Sequence, residues 1–372
     1  MLQTSFNTMT SANESSNVEN GHGHGVAPQQ DSPSARSDVQ NMLASLGVKE
    51  PRDITLLSED DLRGAGMNLV DARRVLKEAR ENVDMESQRS AEPPTQLKLS
   101  AGQQAMVDLN NTALIRADRN PVQMMLSAIL AGIMLSWGGA LYVVLAAGTK
   151  AFWAEAPGLH SLISAAVFPM GLTGILLTGS DLLTSNMMYG TMPFATMDPR
   201  RENMRKFLSS CKLLSISFVG NFLSCALMAA YISPMVVTSE AATNFVVAVA
   251  EKKVAGGLGI RFARAIAANW LVNIAVFQAA CVKSAHGKMI VLWLPITAFV
   301  ACGFEHSVAN MFLVPLGMYN GADVSVGDFL GKNLFLVIFG NAIGAGIGVG
   351  WLHWYAMVPT NYWVLTGHKR NN

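Results

Sequence analysis

From residue 121 onward the chain alternates long apolar runs with short polar interruptions. Six runs, at 121–148, 160–190, 206–233, 258–284, 288–318 and 329–358, reach the roughly 20 residues that a helix needs to cross a bilayer. The pattern predicts an all-α membrane protein with one transmembrane domain over 121–358. Ahead of it the chain is polar, and its apolar positions recur only locally. Val39, Met42, Leu43 and Leu46 have helical spacing and stop at Gly47. Ser58-Glu59-Asp60-Asp61-Leu62 reads as a capped helix start, because a serine with an acid three residues on satisfies free backbone N–H groups. Gly64 and Gly66 end that helix, and 71–83 reads as a longer one. Residues 36–85 are thus a small helical domain, with 1–35 a disordered tail and 86–120 a linker marked by Pro93-Pro94. Within the linker, 95–120 reads as an amphipathic helix suited to the membrane surface, and 359–372 form a second tail.

Two of the apolar runs carry the same polar interruption. Gly179-Ser-Asp181-Leu-Leu-Thr184-Ser-Asn186-Met187 recurs as Gly303-Phe-Glu305-His306-Ser-Val-Ala-Asn310-Met311, at one offset (303 − 179 = 305 − 181 = 310 − 186 = 311 − 187 = 124). Gly220-Asn221 and Gly340-Asn341 extend the repeat, 120 residues apart. Three spans followed by three spans give halves of opposite orientation, and a matched pair of interrupted spans points to two broken helices meeting at mid-membrane. The shared letters read as structural. A broken helix frees N–H groups that lipid cannot satisfy, and Asp181, Asn186, Glu305 and Asn310 can accept or bridge them. The glycines from Gly344 to Gly350 let helices approach closely and read as packing surface, not as a cofactor loop.

Charge adds orientation. The net charge of +1 gives no footprint for nucleic acid. Arg116 and Arg119 before the first span, Arg200, Arg201, Arg205 and Lys206 after the second, Lys283 and Lys288 after the fourth, and Lys369 and Arg370 in the tail all fall on one side. Glu155, Glu240, Glu251, Asp323 and Asp328 share the other with Lys150, Lys252 and Lys253. The positive-inside rule then puts both termini in the cytosol of an integral, multi-pass protein, with the plasma membrane the expected host and an organellar membrane the alternative. The Ser- and Asn-rich start lacks the marks of a cleaved signal. Cys211, Cys225, Cys281 and Cys302 have no ligand spacing and read as small packing residues, and His22 and His24 belong to the disordered tail. No metal, cofactor or catalytic residue is expected: Glu305-His306 is not HExxH, and no nucleophile–base set occurs at membrane depth.

Several segments carry a resemblance. Phe168-Pro-Met-Gly171-Leu172 through Asp181 to Asn186, Asn269-Trp-Leu-Val272-Asn-Ile-Ala-Val, Gly303-Phe-Glu-His306-Ser-Val-Ala-Asn310-Met311 and Gly340-Asn341-Ala-Ile-Gly-Ala-Gly resemble the formate/nitrite transporter family over nearly all of 120–358. The resemblance implies an aquaporin-like fold of six spans as two inverted three-helix repeats, with the second and fifth broken, assembled as a homopentamer with one pore per protomer. It also implies site residues. His306 corresponds to the central pore histidine and Thr184 to its partner threonine; Asn269 corresponds to a pore-facing amide and Lys253 to a vestibule lysine that gathers anions. Phe168, Leu172, Leu183, Val272 and Phe299 correspond to two apolar constrictions, and Leu183 replaces the phenylalanine of many bacterial members. By composition alone Lys253 beside Lys252 reads as solvated, and His306 as a satisfied structural donor. A segment from Leu56 to Met67 and 72–76 resembles the back half of a sterile-alpha-motif domain, which implies self-association or a protein partner for 36–85.

The expected function is a proton-linked channel or transporter for small monovalent anions of weak acids: formate, nitrite, and lactate or acetate. Such an anion is costly to bring to the bilayer centre, and desolvation favours its neutral acid. One alternative is an aquaporin-like pore for neutral solutes, disfavoured because neither break contains Asn-Pro-Ala. The other is a transporter with an added scaffold role for 36–85.

Overall fold

The computed structural model describes residues 41–48, 51–91, 99–195 and 203–359. Val39, His22, His24, Pro93-Pro94, Arg200, Arg201, Lys369 and Arg370 lie outside the described residues. The chain divides into two compact units, 1–97 and 98–372.

In the first unit, 41–45 are helical and the turn closes at Gly47 with φ 80°, a conformation that glycine adopts without a Cβ penalty. A short 3-10 helix at Pro51–Leu56 leads to α1 (Glu59–Gly64) and the long α2 (Leu69–Ala91). The cap anticipated at Ser58 is complete: Asp61 N–H donates to Ser58 Oγ at 3.2 Å, and Ser58 N–H donates to Asp61 Oδ2 at 2.8 Å. Leu43, Val48, Ile54, Leu62, Met67, Ala72, Leu76 and Ala79 form the core. The Ser58 hydroxyl donates to Asp61 Oδ2 at 2.7 Å, and this bond first, with that from Ser58 N–H second, holds the Asp61 carboxyl below its ordinary range.

The second unit is built from α3 (Ala101–Asp118), α4 (Pro121–Gly148), α5 (Lys150–Glu155), α6 (Pro157–Ala165), α7 (Pro169–Thr178) and α8 (Leu183–Ala195). It continues through α9 (Asn203–Val236), α10 (Glu240–Val254), α11 (Leu258–Ala280), α12 (Ala285–Ala301) and α13 (Ser307–Tyr319). The last span, Asp328–Met357, runs through a π-helical turn, α14 (Phe335–Ala342), a second π-helical stretch over Ile343–Trp351 and α15 (Leu352–Met357). The second and fifth spans are each two pieces, α6–α7 with α8, and α12 with α13. Their breaks fall at the two predicted glycines, Gly179 (φ 70°) and Gly303 (φ 64°).

The repeat includes more than three spans per half. Asp181 N–H bonds Ser127 O and Glu305 N–H bonds Arg264 O, which pairs α4 with α11 at an offset of 137 (264 − 127). The same offset relates Arg116, on α3, to Lys253, on α10 (253 − 116 = 137). Each half therefore opens with a helix ahead of its first span. One of these, α10, is an element the apolar pattern did not predict. The other corrects the expected surface helix: α3 buries Ala105, Met106, Leu109 and Ala113 against the bundle and carries Arg116 inward. Close approach is supplied by glycine where the halves need it. A Cβ at Gly220 would sit 2.5 Å from that of Ala128, and one at Gly340 would sit 2.6 Å from that of Ala265. The glycines of Ile343–Trp351 are packing surface as expected, with Gly344 against the Ile266 carbonyl and Gly348 against the Trp270 ring.

Candidate functional site

Each break turns through a left-handed glycine, after which Ser180 N–H reaches back to Ile175 O and, in the second copy, Phe304 N–H to Phe299 O, both at 3.0 Å. An asparagine from the third span of each half then clamps the break. Asn221 Nδ2 donates to Ala128 O (2.7 Å) and Asp181 O (3.1 Å), while its Oδ1 accepts from Leu183 N–H (2.8 Å). Asn341 repeats this bond for bond: to Ala265 O (2.7 Å), to Glu305 O (2.9 Å), and from Ser307 N–H (2.8 Å). The sequence named Asn221 and Asn341 only as repeat markers. Their role follows from the backbone groups a broken helix leaves open in lipid.

The shared carboxylates are anchors, and each is paired with a cation. Arg116 Nη1 lies 2.8 Å and Arg119 Nη2 2.6 Å from Asp181 Oδ1, which also accepts from Asn186 Nδ2 at 3.2 Å. Arg116 also donates to Gly179 O and Ser180 O and lies over the Tyr189 ring, 4.6 Å from its centroid. The two arginines were read as loop charges that set orientation; they instead hold the first break. At the second break Lys253 Nζ is 3.1 Å from Glu305 Oε2, which also accepts from Asn310 Nδ2 at 2.8 Å. Lys253 also lines the cavity beside this pair, where the sequence reading put a vestibule lysine, but it does so as the partner of a carboxylate. Its charge is spent on a buried carboxylate, since its side chain is 15% exposed and that of Glu305 7%.

A cavity of about 120 Å³ opens beside this pair, lined by Tyr142, Phe168, Lys252, Arg264, Phe299 and Glu305 among others. Among the described residues no ion pair holds Lys252 or Arg264, and both are exposed. These are the cations that face the cavity uncompensated, and the sequence reading missed Arg264 because an arginine inside a span looks like a defect in it. Phe168 and Phe299 close the cavity edge to face, with ring centroids 5.9 Å apart, and Phe299 in turn lies 5.5 Å from the His306 ring. Leu172, Leu183 and Val272 are buried in the same apolar core.

His306 is the N-cap of α13. Its Nδ1 accepts from Ala309 N–H at 3.1 Å, so in the neutral ring the proton resides on Nε2. Protonating Nδ1 would break the cap. Thr184 is buried with no hydrogen-bond partner for its Oγ1 among the described residues, and no bond joins it to His306. Asn269 departs from expectation. Both of its donor hydrogens are committed, to Thr184 O (3.0 Å) and Asn341 O (2.8 Å), which ties the two breaks together and leaves no donor for a passing anion. Among the described residues no cluster of His, Cys, Asp and Glu could hold a metal ion. Cys302 is exposed at the second break and does not serve as packing.

The sequence profile of the family described as "Formate/nitrite transporter" matches residues 103–355. A protein of Methanothermobacter thermautotrophicus called "Probable formate transporter" is 37% identical over 247 residues, covering 61% of this chain and 86% of that protein. Among solved structures, an "FNT family ion channel" superposes with a TM-score of 0.58 at 24% identity, covering 69% of this chain and 98% of that one. A "Pentameric formate channel with formate bound" gives 0.54 at 24% identity, covering 63% and 97%. These two support the fold: six spans, two of them broken. The chain is an integral, multi-pass membrane transporter and not an enzyme, and it belongs to the formate/nitrite transporter family.

Proposed function

We propose that the protein is a proton-linked channel for small monovalent anions of weak acids, formate and nitrite first, with lactate or acetate as larger candidates. The observation that carries this reading is the succession from two uncompensated cations, Lys252 and Arg264, through the Phe168–Phe299 contact to His306. The cations gather an anion at a mouth, where opposite charge and low-dielectric walls concentrate it. The aromatic closure then strips its water, and desolvation raises its proton affinity so that the neutral acid crosses. Beyond the closure, His306 Nε2–H and the unpartnered Thr184 hydroxyl offer hydrogen bonds without a fixed charge. The amino ends of α8 and α13, which begin at the two breaks, add positive dipole ends near the same place. Asn269 acts as a positioning residue that holds the Thr184 and Asn341 carbonyls.

Support for formate comes from the relative named a probable formate transporter, and support for five subunits from the similar structure titled pentameric. The Lys and Arg asymmetry of the loops supports cytosolic termini, which puts the Lys252–Arg264 mouth on the far side of the host membrane, proposed to be the plasma membrane. Residues 36–85 are proposed to bind a protein partner or a second copy, on the strength of their resemblance to the back half of a sterile-alpha-motif domain and of the small core that their described residues form.

The test is reconstitution in liposomes, following formate, nitrite, lactate and glycerol against external pH, with His306→Asn alongside. Asparagine keeps a side-chain acceptor for the α13 cap and removes the ring N–H. Formate and nitrite flux that rises as external pH falls is expected, with glycerol excluded. Glycerol flux without anion flux would sink the reading, and anion flux indifferent to the proton gradient would remove the proton linkage.

A further inference from the structure

A second cavity, of about 390 Å³, adjoins the smaller one and shares Tyr142, Val249, Lys252, Val300 and Gly303 with it. Its other walls come from α5, α6 and α10. Their chemistry does not match a one-carbon anion, which would fill little of a volume in the range of sites for drug-sized ligands, about 300–1,000 Å³. Two aromatic pairs line it: Trp153 edge-on to His160 at 5.2 Å, and Tyr142 edge-on to Phe245 at 5.9 Å. Such rings offer a large apolar contact area with little entropy to lose.

The cavity lining also carries the neutral polar side chains of Ser161, Ser164 and Asn244, while its charged side chains are of one sign. Lys150 and Lys252 both line the cavity, and among the described residues no ion pair holds either. His160 is 6% exposed, and its Nδ1 is 3.0 Å from the Thr149 carbonyl and 2.9 Å from the Thr149 hydroxyl. A carbonyl can only accept, so Nδ1 carries the hydrogen and Nε2 is the nitrogen left for a ligand. Aromatic walls with neutral polar groups, two cations and, among the described residues, no lining carboxylate fit an apolar body bearing one negative group.

We infer that this cavity binds amphipathic monocarboxylates, with the aryl or alkyl body among Trp153, Tyr142 and Phe245 and the carboxylate on Lys150 and Lys252. Such an acid cannot pass the edge-to-face contact of Phe168 and Phe299, so it stays across the mouth and blocks small anions. Binding stands on the cavity alone; the block rests on the permeation reading given above.

Cys302 lines the cavity and is exposed, which makes it a reporter. In the full-length protein with Cys211→Ser and Cys281→Ser, Cys225 being buried, alkylation of Cys302 by a neutral maleimide is followed by mass spectrometry. Phenylbutyrate is the probe and phenylbutyramide its uncharged control. At ten times its Kd the acid leaves about one cavity in eleven open and slows alkylation about tenfold. Lys150→Gln weakens it about fivefold, and Trp153→Ala also weakens it. Both residues are exposed and lie outside the smaller cavity, so formate flux in these variants stays unchanged. An alkylation rate unmoved by the acid, or equal protection by acid and amide, overturns the binding site. Protection without loss of formate flux in liposomes overturns the block. Protection in a protein that moves no anion leaves the site standing and sinks the permeation reading, whereas formate flux with no protection does the reverse.

Discussion

Lys253→Met separates a structural cation from an anion-gathering one. The ammonium is 3.1 Å from the Glu305 carboxylate, with 15% and 7% of the two side chains exposed. At an effective dielectric of about 20, the attraction is 332/(20 × 3.1), about 5 kcal/mol, before the cost of taking both charges out of water. Removing one partner strands a buried charge, which costs about 3–5 kcal/mol, and the partial exposure of Lys253 places it near the lower figure. A loss of about 3 kcal/mol lowers the thermal midpoint by about 6–10 °C. Glu305→Gln alone should also destabilise, although it keeps an acceptor oxygen for Asn310. The double variant has no stranded charge and should recover about 2 kcal/mol relative to the sum of the singles. The assay is thermal unfolding in detergent followed by size-exclusion chromatography, with formate uptake in liposomes in parallel. With Lys252 and Arg264 intact, the double variant should also regain most of its flux. A Lys253→Met protein that melts like the parent and only takes a higher KM, or a double variant whose losses simply add, would refute the pairing argument.

Arg264→Gln and Lys252→Gln should each raise the KM for formate about threefold to tenfold at low salt with maximal flux nearly kept, and the difference should shrink in high salt; an unchanged KM would remove them as gathering cations. Asn221→Ala and Asn341→Ala each remove the side-chain partner of a break carbonyl and a break N–H (Asp181 O with Leu183 N–H, Glu305 O with Ser307 N–H), and at about 1–3 kcal/mol apiece either should sharply lower the yield of folded oligomer on size-exclusion chromatography. A wide disparity between the two would contradict the equivalence of the breaks. His306→Ala should cost about 1 kcal/mol through the lost α13 cap while His306→Asn melts like the parent, as thermal unfolding can check. In the first unit, the depressed Asp61 carboxyl lends stability above its unfolded range and loses it as pH falls through the folded value. Amide exchange at the start of α1 should therefore quicken in acid, and Asp61→Asn should remove that dependence.

Much of the fold was legible because lipid imposes a simple rule on sequence. A spanning helix must be long and apolar, so six runs announced themselves, and any polar letter inside one needs a reason. The Gly–acid–Asn–Met pattern was such a letter string, and its constant offset located both breaks to the residue. The clamps were half visible: Asn221 and Asn341 stood out as a pair, but nothing local says which carbonyls they meet. The helix α10 was hidden because its 15 residues, with Glu251, Lys252 and Lys253 near the end, are too short and too charged for the length rule to pick out. The role of Arg116 was hidden for a related reason. Its repeat partner is Lys253, 137 residues on, yet the only letters the flanks share at that offset are alanines such as Ala113 and Ala250, too common in an apolar chain to expose the match.

The sequence by itself determined the membrane class, the inverted repeat, the positions of the breaks and the family. The first three depend on periodicity and spacing and the family on a resemblance of whole motifs, and all of them are properties of the chain. Only the tertiary structure decided which charges remain available. Lys253 and Lys252 are neighbours in sequence and both line the cavity with Arg264, yet Lys253 is paired with Glu305 while no ion pair holds Lys252 among the described residues. It likewise decided that Asn269 spends both hydrogens on backbone carbonyls, while the Thr184 hydroxyl finds no partner among the described residues. A side chain's availability depends on which partners lie within about 3 Å of it. Those partners come from helices far apart along the chain, so only their packing could say what each polar group is free to do.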